Sequence, residues 1–255
     1  MHTIENTLFM GRNLQHLETT LSTNEYVTNL LSKSKPPEGT VITAYNQAMG
    51  RGQIGSYWES EAGKNLTFSV VLYPTFLPVA KQFLLTQCLS LGVVDALSEF
   101  VPNSLSLKWP NDIYVNNKKL GGMLIQSSIN QTQLIHAVVG IGININQDIF
   151  ISDAPNPISL KQISQEDVPL GFVLNKLCIA LEKRYLQLRR SDYDAIRIDY
   201  SRHLYYYMED RIYKRPDGSL FEGRIVDVLP TGKLVINHEK GEEVFGMKEI
   251  QFIHS

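Results

Sequence analysis

The sequence predicts an α+β fold, with a mixed central sheet and packed helices in its larger part and a small β module after it. β-rich runs at 40–45 and 66–73 alternate with a stretch, 76–100, whose apolar residues recur at helical spacing. From Arg211 onward the pattern changes to short strands and tight turns. We therefore predict two domains, which comprise residues 1–208 and 209–255.

Each element of the larger part follows from a local pattern. Residues 1–20 hold only short apolar runs, which indicate an edge strand or a lead-in. Ser22 and Thr23 are typical helix caps and precede an apolar helical pattern that ends before Pro36. Asn116-Asn117 is typical of a hairpin tip. The remaining predictions are a strand at 105–109, a second hairpin strand that follows the tip and continues through 123–129, and a strand at 134–145. A short helix is predicted at 159–165, and longer helices at 170–188 and 193–204.

The small module is predicted from its turns. Pro216-Asp217-Gly218, Thr231-Gly232 and Gly241 are turn signals that separate short apolar runs. Strands are therefore expected at 221–228 and 233–237, with further strand residues between Val244 and Ile253.

Composition excludes several classes of protein. Apolar residues make up 43% and charged residues 20% of the 255 residues, which is typical of a globular protein and not of a disordered one. Lys and Arg total 24 against 26 Asp and Glu, so the charge of −2 offers no general attraction to nucleic acid or membranes. Cys88 and Cys178 each lie in an apolar helical pattern, which favours reduced core thiols. Since no run approaches about 18 apolar residues, we expect a cytoplasmic protein.

The stretch 47–58 has the composition of a binding loop. It contains three glycines, Arg51 and Trp58. Glycine allows close approach of backbone N–H groups to an anion, and arginine offers a planar fork of donors to phosphate or carboxylate oxygens. Gly50 to Gly55 also matches the dinucleotide pattern G-x-G-x-x-G, but no helix pattern follows it, and no acidic residue lies at 73–77. Patterns for P-loop, serine hydrolase and zinc sites are absent as well.

Three later blocks continue this chemistry. They are Lys108-Trp109-Pro110-Asn111-Asp112, Lys119-Leu120-Gly121-Gly122 and Gly140-Ile141-Gly142-Ile143-Asn144. Glycines inside a strand suggest close approach of a ligand or another backbone. With Gly50-Arg51-Gly52 and Trp58 in this order, the chain resembles the biotin-protein ligases, the biotin-[acetyl-CoA-carboxylase] ligase family, from about Ser22 to its end.

The resemblance implies a fold and a reaction. The fold is the class II synthetase-like, biotin/lipoate ligase type, with an SH3-like barrel as its C-terminal module. The reaction joins biotin and MgATP into biotinyl-5′-AMP and pyrophosphate, and then passes biotin to a lysine. The implied partner is a biotin carboxyl carrier protein or domain of acetyl-CoA carboxylase and related carboxylases. Since only about twenty residues precede Ser22, we expect the catalytic-only class, without a DNA-binding domain and without nucleic-acid or membrane partners, as monomer or homodimer.

The resemblance also implies site residues. Two cations could hold biotin's carboxylate and the α-phosphate of ATP together, and Asp112 is a candidate magnesium ligand. The implied catalytic residues are Arg51, Lys119, Asp112 and Lys108. The implied biotin-binding residues are Ser22, Thr23, Asn24, Gln47, Arg51, Gly52, Gln53 and Lys119. The implied ATP- or adenylate-binding residues are Gly50, Trp58, Asn111 and Asn144.

Some of these residues also have purely structural explanations. Ser22 and Thr23 could merely cap a helix, Trp58 could be a packing residue, and Asn111-Asp112 could form a simple turn. Lys108 could assist the phosphate contacts or only pair with a nearby charge.

Three departures from the family pattern stand out. Gln53 and Ser56 replace frequent cations, which predicts weaker retention of the adenylate, and Gln126 replaces a common acid. The alternatives to a biotin ligase are a lipoate-protein ligase and a non-catalytic biotin- or adenylate-binding regulatory protein.

Overall fold

A computed structural model describes residues 3–53, 56–102, 104–152 and 156–253. Its larger part is built on a seven-stranded mixed sheet. Along the chain the strands are β1 (Leu14–Thr20), β2 (Val41–Gln47), β3 (Leu66–Leu72), β4 (Leu105–Lys108), β5 (Asp112–Val115), β6 (Lys118–Ile129) and β7 (Leu134–Ile143). Their order in the sheet is β1-β2-β3-β7-β6-β5-β4. β1 and β2 run parallel, and the other neighbouring strands run antiparallel.

Five helices accompany this sheet within the described ranges. They are α1 (Thr23–Leu31), α2 (Phe83–Leu97), α3 (Leu160–Ser164), α4 (Leu170–Arg189) and α5 (Tyr193–His203). α2 packs against α4 and α5, whereas α1 contacts β2, β3 and β7. The helix predicted over 76–100 is shorter than expected, because a 3₁₀ turn (Val79–Lys81) precedes α2. Pro78 lies at the start of that turn, and the residue before a proline avoids helical geometry.

The two faces of β3 pack against different parts of the protein. All seven of its residues are buried. Phe68, Val70 and Leu72 belong to the main core, while Val71 joins a smaller cluster with Val27 of α1. Because side chains alternate along a strand, Thr67 and Ser69 share the face of Val71. The sheet therefore has one face packed on α2 and α4, and one shared between α1 and polar residues.

The helices are tied together by a central ion cluster. Arg184 of α4 bonds through Nε to Asp95 of α2 at 2.6 Å and through Nη1 to Asp199 of α5 at 2.9 Å. Cys88 and Cys178 are buried free thiols, as predicted, and burial raises the pKa of Cys178 to about 12. Across the described ranges, none of the helices combines the length and apolarity that a bilayer crossing requires.

The C-terminal part is a separate five-stranded antiparallel sheet, and the predicted β module is thus confirmed. Its strands are β8 (Asp210–Lys214), β9 (Leu220–Val228), β10 (Leu234–His238), β11 (Gly241–Phe245) and β12 (Gln251–Phe252), in the order β11-β10-β9-β8-β12. The module is anchored on the larger part by Trp109, whose Nε1–H donates to the Gly232 carbonyl at 2.8 Å. A side chain at Gly232 would collide with the Phe83 ring of α2. The Lys108–Asp112 block therefore also joins the two sheets.

Candidate functional site

A cavity of about 170 Å³ lies over the polar face of the sheet. Four of the segments that the sequence analysis emphasised meet there: the start of α1, the 47–58 loop, the turn before β5 and the glycines of β6 and β7. The predicted site residues that line it are Ser22, Thr23, Asn24, Gln47, Arg51, Gly52, Gln53, Trp58, Asn111, Asp112 and Lys119. Gly50, Lys108 and Asn144 do not line it.

Strand register explains why distant segments meet. Thr67 of β3 pairs with Gly142 of β7, which pairs with Gly122 of β6, and Gly122 pairs with Asp112 of β5. Each of these residues points to the same face, because paired residues on neighbouring strands lie on one side of a sheet. The floor of the cavity is therefore a row of small and polar residues that crosses four strands.

The strand glycines make room for side chains. A Cβ atom at Gly142 would lie 2.5 Å from the Trp58 indole, and one at Gly140 would lie 2.3 Å from the Asn24 carboxamide. The expected close approach is therefore made by side chains, and not by another backbone. Any larger residue at these two positions would displace a wall of the cavity.

A hydrogen-bonded group closes one end of the cavity. Gln47 Oε1 accepts from the Thr23 backbone N–H at 3.0 Å, and its Oε1 lies 3.3 Å from Thr23 Oγ1. Asn24 Nδ2 donates to the Leu124 carbonyl and to Gln126 Oε1. Thr23, Asn24 and Gln47 are all buried. Ser22 occupies the cap position of α1, but its side chain makes no capping hydrogen bond. This end is therefore neutral, polar and shielded from water.

The 47–58 loop folds back over the cavity as a narrow hairpin. The Trp58 N–H donates to the Gly50 carbonyl at 2.9 Å, and Arg51 forms a bridge with Tyr57. The Arg51 guanidinium pairs with Glu25 of α1 at 2.7 Å and stays 58% exposed. Ile54 and Gly55 lie outside the described residues. The loop therefore covers the site and carries a cation at its rim.

Gln53 joins this loop to the opposite wall. Its Nε2 donates to Asn111 Oδ1 at 2.8 Å, and Asn111 Nδ2 in turn donates to the Met123 carbonyl of β6. The Asn111 side chain thus bonds to the glycine loop and to β6. Gln53 Nε2 also lies 4.0 Å from the Met247 sulfur of the C-terminal module.

Lys119 supplies the inner cation. Its Nζ lies 2.8 Å from Asp112 Oδ1, with side-chain exposures of 22% and 26%. The same Nζ lies 6.0 Å from the centre of the Trp58 ring. The indole packs over Gly142, and its Nε1–H is buried without a hydrogen-bond partner in the described part of the chain. Lys119, Asp112 and Trp58 thus form the charged end of the cavity.

The predicted residues outside the lining have other surroundings. Lys108 Nζ lies 3.2 Å from the Tyr114 hydroxyl and 5.2 Å from the centre of the Phe252 ring, and burial lowers its pKa to about 8. Asn144 is buried and donates from Nδ2 to the Ile158 carbonyl at 3.1 Å. Gly50 holds Trp58 through its carbonyl. These contacts explain why the three residues do not line the cavity.

Two residues that the sequence analysis did not single out belong to this site. Thr67 lines the cavity, and Ser69 contacts Thr23 and Asn24 from beneath. The sequence pattern that could have identified Thr67 and Ser69 is a pair of polar residues, two positions apart, in an otherwise apolar strand. That spacing predicts a shared face, but only the register of β3 against β7 shows what the face contacts.

The lining is compatible with a magnesium ion that arrives with phosphates. Nowhere in the described ranges do three or more His, Cys, Asp or Glu residues cluster closely enough to hold a metal ion. Asp112 is the carboxylate among the lining residues, and the Asn111 carboxamide adjoins it. Mg²⁺ usually takes one or two protein oxygens and completes its shell with water and substrate phosphates. These two residues fit that role.

Comparisons with known proteins agree with this geometry. The chain is 30% identical over 194 residues to the bifunctional ligase/repressor BirA of Bacillus subtilis, covering 74% of this chain and 58% of that protein. It is 28% identical to the biotin–[acetyl-CoA-carboxylase] ligase of Mycobacterium tuberculosis, covering 71% and 67% respectively. The structure of the biotin protein ligase from Aquifex aeolicus in complex with biotin and ATP superposes with a TM-score of 0.78 at 26% identity, covering 96% of this chain and all of that one.

The match to a family extends over the sheet that carries the cavity. Residues 17–144 match the biotin/lipoate A/B protein ligase family, and they include the end of β1, all of β2 to β7, α1, α2 and the residues that line the cavity. By this match, the chain belongs to the biotin/lipoate A/B protein ligase family.

Proposed function

We propose that this protein is a biotin-protein ligase, which forms biotinyl-5′-AMP from biotin and ATP and transfers the biotinyl group to a lysine of a carrier protein. One observation carries the proposal: a single cavity has a neutral, buried hydrogen-bonding end and a charged end that holds the Lys119 ammonium. Biotin has the same polarity, with a ureido ring at one end and a carboxylate at the other. The likeness to a ligase that holds biotin and ATP supports this assignment.

The neutral end fits a ureido ring. Thr23 and Gln47 present hydroxyl and carboxamide groups there, and neither carries a charge. A buried polar ligand group binds favourably only where its hydrogen bonds are made. We assign the ureido contacts to these two residues, with Ser22 and Asn24 shaping the wall around them.

The charged end addresses the repulsion between two anions. Biotin's carboxylate must approach the α-phosphate of ATP, and Lys119 lies where both could be neutralised. Arg51 at the rim is a second cation, now paired with Glu25, which a phosphate could replace. Gly52 keeps the loop backbone at the cavity, Gly50 holds Trp58 through its carbonyl, and Trp58 forms a flat wall for the adenylate.

Magnesium bound beside Asp112 and Asn111 would neutralise charge on the departing pyrophosphate. Asp112 also holds Lys119 at 2.8 Å, which fixes the ammonium against the reacting oxygens. Lys108 and Asn144 act from outside the lining, Lys108 by supporting the turn and Asn144 by holding the segment around Ile158.

In the transfer step, a neutral lysine amine attacks the acyl carbon of the mixed anhydride, AMP leaves with the bonding electron pair, and the amine nitrogen releases one proton to solvent. We infer that the acceptor is the biotin carboxyl carrier protein or domain of acetyl-CoA carboxylase or a related carboxylase. The Mycobacterium relative carries that specificity in its name. We further propose that residues 1–208 bind both substrates and that residues 209–255 form a supporting domain. Trp109 connects the two parts.

Isotope exchange between pyrophosphate and ATP tests the proposal. We expect exchange that depends on biotin and magnesium, followed by biotin transfer to a purified carrier domain. Exchange that depends on lipoate instead would assign the chain to the lipoate branch of its family. Absence of exchange with either acid, while biotin still binds, would indicate a binding protein.

A further inference from the structure

Ser69 lies directly beneath the neutral end of the cavity. It is fully buried in the middle of β3 and does not line the cavity. Its Oγ lies 2.6 Å from Asn24 Oδ1 and 2.8 Å from Thr23 Oγ1. A ligand in the cavity would therefore touch Thr23 but not Ser69.

The hydrogen bonds around Asn24 determine the direction of the Ser69 proton. Asn24 Nδ2 donates both of its hydrogens, to the Leu124 carbonyl and to Gln126 Oε1. Asn24 Oδ1 can only accept, and a serine hydroxyl has a single hydrogen. The Ser69 hydroxyl therefore donates to Asn24, and its oxygen remains an acceptor for Thr23. Asn24 is fully engaged by the protein, so its carboxamide positions Ser69 and leaves ligand contact to Thr23.

The same reasoning extends to Thr23 and Gln47. The Thr23 hydroxyl can donate to Ser69 Oγ at 2.8 Å or to Gln47 Oε1 at 3.3 Å. In both cases the hydroxyl hydrogen points into the protein, and the Thr23 oxygen can accept a hydrogen bond from a ligand in the cavity. Gln47 Oε1 already accepts from the Thr23 N–H, so Gln47 contributes its Nε2 donor, which lies beside Gly50.

We infer that Ser69 is a positioning residue, which turns the Thr23 hydroxyl so that the cavity presents an acceptor to a ligand N–H. Together with the Gln47 donor, this acceptor matches a cyclic urea, which has N–H donors next to a carbonyl acceptor. The inference rests on the proposed function, since it assigns ureido recognition to the same cavity. It adds a residue that never contacts the ligand but sets the hydrogen-bonding polarity of the site.

Ser69→Ala tests this role. Without Ser69, the Thr23 hydroxyl keeps only the longer contact to Gln47 Oε1 at 3.3 Å, which holds its hydrogen less firmly, so the hydrogen can turn toward the cavity. We expect the Kd for biotin, measured by calorimetry, to rise about tenfold, the effect of one well-placed hydrogen bond. The KM for ATP and the kcat of pyrophosphate exchange should stay within about twofold of wild type, because the charged end is untouched. Ser90→Ala is the matched control, as it removes a buried serine hydroxyl from α2 away from the cavity.

A second measurement separates polarity from packing. Biotin methylated at either ureido nitrogen lacks one N–H, and wild type should bind at least one of these analogues far more weakly than biotin. In Ser69→Ala this discrimination should shrink about tenfold, since biotin alone loses a hydrogen bond. Ser69→Cys, of similar size but with a weak donor, provides the same test if the alanine variant fails to fold.

The outcomes are distinct. Unchanged biotin affinity in Ser69→Ala would overturn the inference. Equal weakening of biotin and its methylated analogues would overturn it too, because that result describes a collapsed pocket. If wild type binds no biotin and supports no exchange, the proposed function itself is wrong.

Discussion

Replacement of Lys119 by alanine would remove the inner cation of the cavity. The ammonium lies 2.8 Å from Asp112, and both side chains are largely sheltered from solvent. Two effects of the same sign follow from this geometry. The incoming carboxylate and phosphate lose an attractive charge, and the Asp112 carboxylate is left to repel them.

The size of the effect can be bounded. Loss of one preorganised group at a site of developing charge typically lowers kcat by about 10²–10³-fold. A repulsion between unit charges about 4 Å apart adds up to roughly 4 kcal/mol at an effective dielectric constant near 20. Folding stability should change far less, by about 1 kcal/mol, because Lys119 and Asp112 keep 22% and 26% of their side-chain surface exposed, and a partly exposed ion pair contributes little. We therefore expect at least a hundredfold loss of activity in a protein that remains folded.

Biotin-dependent pyrophosphate exchange measures this loss, and thermal unfolding reports the fold. Lys161→Ala is the control, since Lys161 also pairs with an aspartate, Asp148 at 2.9 Å, but lies outside the cavity lining. Exchange by Lys119→Ala within threefold of wild type would refute the role of this lysine.

Three further predictions address other parts of the chain. Gln53→Arg should slow the release of biotinyl-AMP about tenfold or more, because a charge-assisted hydrogen bond replaces a neutral one. Filter binding measures the release rate, and Gln131→Arg, at an exposed position, is the control. An unchanged release rate would count against the assignment of this loop to the adenylate. Arg184→Met should lower the free energy of unfolding by about 2–3 kcal/mol, because Asp95 and Asp199 lose a shared and largely buried cation. Lys176→Met, on the same helix with an exposed partner, should cost less than about 1 kcal/mol in urea titration, and equal losses would contradict this account. Burial lowers the pKa of Lys108 from 10.5 to about 8, so between these values the unfolded chain binds more protons than the folded one. The stability of wild type relative to Lys108→Met should therefore rise over that pH range, and a constant difference in urea titrations would contradict burial of the ammonium.

Local patterns were sufficient for most of the fold. The helices α4 and α5, the hairpin at Asn116 and the C-terminal strands all lie where apolar spacing and turn residues predict them. The helix predicted over 76–100 is longer than the observed α2, because the helical spacing of apolar residues continues through the 3₁₀ turn after Pro78. Periodicity reports which residues are buried, and it does not distinguish neighbouring helical geometries.

The candidate site was predictable in part. Short blocks that combine glycine with arginine or lysine indicate a binding surface, because packing and turns rarely require that combination. Eleven of the fourteen residues implied by the resemblance line one cavity. Lys108 and Asn144 lie outside the lining, because Lys108 Nζ is directed to the Tyr114 hydroxyl and the Asn144 carboxamide donates to the Ile158 carbonyl. The sequence did not predict a role for Ser69, because its hydrogen-bond partners lie 45 and 46 positions away in the chain.

The sequence by itself determined the α+β class, the order of the elements and the loops that hold charge and glycine. These features depend on local propensity and spacing, which a single chain segment expresses. The tertiary structure decided that Arg51 turns to Glu25, that Lys119 pairs with Asp112, and that Trp58 fills the space left by Gly142. It also decided the direction of the hydrogen bonds around Ser69. Each of these depends on strand register and on the contact of distant segments, which no local pattern contains.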